Sequence, residues 1–194
     1  MGWLDSLLGR TKLQKPNMDR LFALSTAGAE LESEAALAPA GRAGLCLQPV
    51  EGGEFAQVEK ELHDLVNVAC RGRDFNGQVD VSRDSLGYTW VVFTDPQLEE
   101  LVALIHLAGG ELEANGFGEQ LLAAVFHMRP SADASGGPVY LIYNYKRGAF
   151  YPFAPTGERT RDNATEMRVS AALGGGVPME RDLTRWFALW DCPV

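Results

Sequence analysis

The sequence predicts an α+β fold: a single domain in which a mostly antiparallel sheet of about five to six strands packs against helices. Three observations carry this expectation. Apolar stripes at helical spacing are interleaved with short runs rich in β-branched and aromatic residues. Those runs come in neighbouring pairs joined by turn-type loops, whose direct pairing is the simplest topology. The length, 194 residues, suits one core that buries roughly 70% of the extended-chain surface. Residues 1–16 stand apart as an amphipathic turn and a basic linker, leaving 17–194 as the single α+β domain.

Trp3, Leu4, Leu7 and Leu8 gather on one side of one or two helical turns, with Asp5 and Ser6 opposite and Gly9 as a stop. So short a helix is marginal alone and must dock on the body, a partner or a lipid surface. RTKLQKP follows as the linker, and Asn17 caps a short helix through Met18, Leu21, Phe22 and Leu24. Residues 27–38, rich in alanine and glutamate, read as helix; AGLCLQPV, 43–50, reads as a strand. Phe55, Val58, Leu62, Leu65, Val66 and Ala69 then make an amphipathic helix. VDVSRDSLGYTWVVF gives a hairpin turning at Asp84 to Gly87.

Asp95 before Pro96 reads as a cap with proline in the first helical position, opening a stripe of Leu98, Leu101, Val102, Ile105, Ala108 and Leu112. LLAAVFHMR and PVYLIYNYKR are paired strands around a Ser, Asp and Gly loop, and the latter continues into a second hairpin, YKRGAFYPFAP. Asp162 to Leu173 reads as a helix ended by Gly174 to Gly176, and Leu183 to Trp190 as a closing helical turn.

Apolar residues at 46% and charged residues at 22% are ordinary globular usage. A net charge of -9 argues against nucleic acid, since phosphate neutralisation needs clustered cations. Thirteen acidic against four basic residues in 51–115 read as a solvated acidic face. Cys46, Cys70 and Cys192 form no CxxC or Cys/His ligand spacing, and a reducing cytoplasm is the simpler setting. No apolar window reaches the ~18 residues of a membrane span. There is no phosphate-cradling glycine loop, no nucleophile elbow and no HExxH, and His63, His106 and His127 stand apart. No catalytic residue, cofactor or metal is expected.

What remains is a local reversal of charge. Residues 145–168 hold Lys146, Arg147, Arg159, Arg161 and Arg168 against three acids, and Phe150, Tyr151 and Phe153 follow the first two cations. A hairpin turning at Gly148 brings Lys146 and Arg147 near Arg159 and Arg161, where guanidinium groups suit a carboxylate. Two readings stand. The cations and rings are a partner-docking or small-anion site, or the arginines pair with the chain's own acids and the rings fill core.

MGWLDSLLGRTK, VEGGEF, VSRDSLGYTWVV, YKRGAFYPFAP, ERTRDNATEMRV and DLTRWFALW, in this order and spacing, resemble the PspA-associated protein PspAB family of actinobacteria and archaea, across nearly the whole chain. The resemblance implies a non-enzymatic cytoplasmic accessory of the phage-shock-type envelope stress system, near a PspA-like membrane-remodelling coiled coil. Partner binding is then expected at Trp3, Leu4, Leu7 and Leu8 and at Lys146, Arg147, Phe150, Tyr151 and Phe153, with membrane contact peripheral and weak. The alternative is a small-anion regulator or enzyme using Lys146, Arg147, Arg159 and Arg161 around a phosphate or carboxylate. Secretion-chaperone-like folds are an architectural analogue.

Overall fold

The computed structural model of the chain describes residues 18–48, 60, 64, 78–132, 134–190 and 192–194. The expected N-terminal turn with Trp3, Leu4, Leu7 and Leu8, the linker, and most of the helix expected from Phe55 to Ala69 lie outside the described residues; Lys60 and Asp64 are helical.

The architecture is the expected α+β one: a six-stranded antiparallel sheet, a small two-stranded sheet and several helices. A 3-10 helix, Asp19–Leu24, and α1, Gly28–Ser33, precede β1, Leu37–Leu47. The hairpin β2, Gln78–Arg83, and β3, Thr89–Thr94, leads into α2, Leu98–Ala114. Then come β4, Leu121–Pro130, β5, Val139–Asn144, and β6, Ala149–Phe153. β7, Pro155–Gly157, and β8, Thr160–Arg161, form the small sheet before α3, Asn163–Leu173, and a last 3-10 turn, Leu183–Arg185. The main sheet runs in the order β2-β3-β1-β4-β5-β6.

Three expectations need correction. The helix foreseen over 27–38 is only six residues long, because Ala36 turns the chain through a left-handed conformation (φ 54°) and the following residues pair with β4. Pairing of Leu37 to Pro39 with β4 outweighs the helical preference of alanine and starts β1 six residues early, and β3 joins the other side from Arg42 onward. At α2 the helix begins at Leu98, and Asp95 lies outside it, its Oδ1 accepting from the Gln97 N–H at 2.8 Å. The closing helix shrinks to Leu183–Arg185; the rest of that segment is extended cover for the sheet.

The strands read as continuous apolar runs because both faces of the sheet are buried. On one face Leu45, Phe93, Phe126, Leu141 and Tyr143 meet the α2 stripe, with Leu21, Leu24, Val169 and Leu173 completing the cluster. On the other, Trp90, Val92, Val125, Ile142, Tyr151 and Phe153 pack under Trp186, Leu189, Trp190 and Val194. At the β6 edge the Phe150 N–H donates to the Pro178 carbonyl at 2.8 Å and the Phe150 carbonyl accepts from Glu180 N–H at 2.7 Å. Arg42 Nη2 donates to the Pro193 carbonyl at 2.8 Å, tying the last residues to β1.

Gly44 makes that closure fit. A Cβ there would stand 2.7 Å from the Val194 Cγ2 and 3.3 Å from the Val91 carbonyl oxygen. Gly44→Ala should therefore lower stability by roughly 1–3 kcal/mol through overpacking. Gly110→Ala, in α2 with nothing within 4 Å, should raise it by about 0.5–1 kcal/mol. Urea unfolding of the two variants measures both signs.

Candidate functional site

The turn Tyr145 to Gly148 is built by its own side chain and its glycine. Asn144 Oδ1 accepts from the Lys146 and Arg147 backbone N–H groups at 3.1 and 3.2 Å, and Gly148 closes the turn at φ 62°. The two cations then part. Arg147 Nε lies 3.0 Å from Glu180 Oε2, a half-exposed ion pair, whereas Lys146 turns to a cavity on the second face of the sheet.

The arginines of 159–161 divide in the same way. Arg161 Nε donates to both oxygens of Glu166 at 2.9 and 3.0 Å, its Nη1 donates to the Trp186 carbonyl at 2.9 Å, and its guanidinium stands 5.3 Å over the Phe153 ring. Glu166 Oε1 also accepts from Ala154 N–H at 2.9 Å, and the residue is buried. This pair joins the end of β6, the first turn of α3 and the 183–190 segment. Arg159, two residues earlier in the β7–β8 turn, lines the cavity with Lys146.

The four cations expected to act together are therefore two neutralised and two facing open space. The expected availability of the rings does not hold in the structure: Phe150, Tyr151 and Phe153 are 0, 3 and 1% exposed. Phe150 stacks into the helix-side core with Tyr143, centroids 4.7 Å apart. Tyr151 lies 6.4 Å from Trp186, and Phe153 meets Trp190 edge-on at 4.9 Å. The physical reason is the second layer, which seals a face that a one-sided sheet would leave to solvent.

The cavity measures about 830 Å³ and lies between the sheet, the β2–β3 turn and residues 187–190. Trp90, Tyr151 and Trp190 supply rings, Ala123 and Ala188 leave room, and Leu86 and Phe187 stand at the rim, 76 and 59% exposed. Two polar groups line it, a carboxylate engaged in hydrogen bonds and a thiol. Asp84 Oδ1 accepts from Leu86 and Tyr88 N–H at 2.9 Å each, and its Oδ2 from Trp90 Nε1 at 3.0 Å. Burial, helped by Asp84 and Cys192, pushes the Cys46 thiol up to about 12, so it carries no thiolate at neutral pH.

A family model described as PspAB, PspA associated protein B, matches residues 1–194, the whole chain. The chain belongs to the PspAB family. That family is by its description PspA-associated, which makes this an accessory protein linked to PspA. No curated protein and no solved structure matches, so the secretion-chaperone comparison remains one of architecture. No described helix of this PspAB chain is long and apolar enough to cross a membrane. Among the described residues no three metal-ligating side chains gather, and His106 and His127 lie against rings, Phe22 at 4.5 Å and Tyr140 at 4.9 Å.

Sequence reasoning passed over Trp90, Leu86, Phe187 and Trp190 as a site because they come from segments a hundred residues apart. The signal available was the aromatic density of WFALW, but the i, i+1, i+4 spacing of its rings also fits one face of a helical turn.

Breaking the Arg161 pair by Glu166→Gln should cost roughly 3 kcal/mol by leaving a partly buried guanidinium without its carboxylate. Arg147→Gln should cost less, roughly 1 kcal/mol, because its guanidinium is 46% exposed even though Glu180 is only 10% exposed. Chemical denaturation separates the two. Burial, and secondarily Arg42, lowers the His127 pKa below its ordinary 6.5. Between that depressed value and 6.5 the unfolded chain binds more protons, so this residue's contribution to stability is present above pH 6.5 and is lost as pH falls through the depressed pKa. His127→Gln should make the decline from about pH 7 to 5 shallower in pH-dependent melts.

Proposed function

We propose that this PspAB-family chain is a non-enzymatic accessory of a PspA-like coiled-coil protein in an envelope stress response, acting by protein binding on the cytoplasmic side of the membrane. The observation that carries the reading is the family match over all 194 residues. The chemistry of the cavity supports binding over catalysis: its carboxylate is spent on the turn and on Trp90, and its thiol is protonated.

Lys146 remains in the proposed binding surface, now with the exposed rim residues Leu86 and Phe187 in place of the buried rings of β6. Apolar side chains beside a cation suit a partner helix with an apolar stripe flanked by acids. The amphipathic turn expected at Trp3, Leu4, Leu7 and Leu8 is the second proposed contact.

The test is capture of the purified full-length chain by the PspA-like protein of the same cell. A stable complex on size-exclusion chromatography is the expected result, weakened about tenfold or more by Phe187→Asp, on the scale of an interface anchor. Absence of a complex at micromolar concentrations overturns the accessory reading. Unchanged capture after removal of residues 1–12 takes the N-terminal turn out of the interface.

A further inference from the structure

The cavity has a chemistry more specific than a contact surface requires. Its volume, about 830 Å³, lies in the range of small-molecule sites, roughly 300–1,000 Å³. Its inner wall combines the rings of Trp90, Tyr151 and Trp190 with the small side chains of Ala123 and Ala188. Apolar matter fits there.

At the opening the sign is positive. Lys146 and Arg159 both line it, and neither side chain has a hydrogen-bond or ion-pair partner among the described residues, in contrast to Arg147 and Arg161 a residue or two away. Arg83, which is already engaged, adds a third cation to the lining. The one carboxylate in the lining, Asp84, accepts three hydrogen bonds from its own turn and from Trp90. With Lys146, Arg159 and Arg83 against Asp84, the lining keeps an excess of positive charge for an entering anion.

Arg159 sits there against its own backbone preference. It holds φ 56°, a left-handed conformation unfavourable to a residue with a side chain, in a turn clasped by the 3.0 Å hydroxyl contact of Thr156 and Thr160. Strain of this kind persists where the surroundings impose it, and here it goes with a guanidinium that has no partner among the described residues and lines an aromatic cavity.

We propose that the cavity binds a small amphipathic anion, with an apolar ring or short chain between Leu86, Phe187 and Trp190, over the buried Trp90 and Tyr151, and a carboxylate or phosphate head paired with Lys146 and Arg159. The proposal deepens the reading of this wall as a recognition site. It does not depend on the partner protein, and the two fail separately.

The full-length chain is titrated with decanoate, decyl phosphate, decanol and inorganic phosphate, followed by calorimetry and by tryptophan fluorescence. One-to-one saturable binding of at least one decyl anion is expected, at least tenfold tighter than decanol or inorganic phosphate; which anion prevails assigns the head group. The Lys146→Gln, Arg159→Asn double variant should lose tenfold or more for the anions and keep its affinity for decanol, asparagine being tolerant of the left-handed backbone. Arg147→Gln should leave every affinity unchanged. Saturable binding of neither anion, equal binding of decanol, or wild-type affinity in a folded double variant overturns the proposal. The comparison of anion with alcohol needs no variant and decides the matter if the double variant does not fold. Capture by the PspA-like protein that depends on Lys146 and Arg159, without binding of either anion, makes the cavity a protein-docking surface and also overturns it.

Discussion

A sheet whose central strands are apolar on both faces must be covered twice, and this requirement shapes the rest of the molecule. Trp90 and Val91, Val125 and Phe126, and Leu141 and Ile142 are neighbours that point to opposite sides, and all are buried. Helices α2 and α3 meet the need on one side. The other side is covered by a segment with a single 3-10 turn, which has few internal backbone hydrogen bonds to hold its shape. It is held instead by attachments: Arg161 to the Trp186 carbonyl, Trp186 Nε1 to the Glu180 carbonyl, Arg42 to the Pro193 carbonyl, and Val194 seated over Gly44.

An irregular cover does not tile a pleated surface completely. Where Phe187 to Trp190 cross Ala123 and Trp90, the small side chains of Ala123 and Ala188 beside the rings of both layers leave the cavity, and the β2–β3 turn closes one side of it. The same segment thus supplies both the second core layer and the wall of the candidate site. Charge follows the same division. Glu166 and Glu180 take the two arginines that fasten structure, and Lys146 and Arg159 are left facing solvent-accessible space on a protein of net charge -9.

Much of the fold was legible because its signals are local. The spacing of Leu98, Leu101, Val102, Ile105, Ala108 and Leu112 encodes α2, and the turn chemistry of Asp84 to Gly87 and of Asn144 to Gly148 encodes two hairpins. Residues 35–38 misled because their preference for helix is weaker than the pairing of Leu37 and Ala38 with a strand that arrives about 90 residues later. The rings of β6 misled for a related reason: alternation tells which residues share a face, but whether that face is covered depends on residues more than 30 positions away. Among the cations, the sequence located the local excess and not its division, since Arg161 reaches Glu166 across a helix start while Arg159 points elsewhere from the same turn. The cavity left only the aromatic run of residues 186–190 as a local trace, since its other walls come from distant segments.

The brackets that residues 178–180 place on Phe150 reach beyond packing. With its N–H and carbonyl both occupied, the outer rim of β6 offers no ladder at that point on which a stray strand could nucleate. The opposite rim, β2, alternates exposed Gln78, Asp80 and Arg83 with half-buried valines, so charge and short length guard it instead. The two rims of the sheet are thus guarded by different means, one by a segment remote in sequence and one by the strand's own residues.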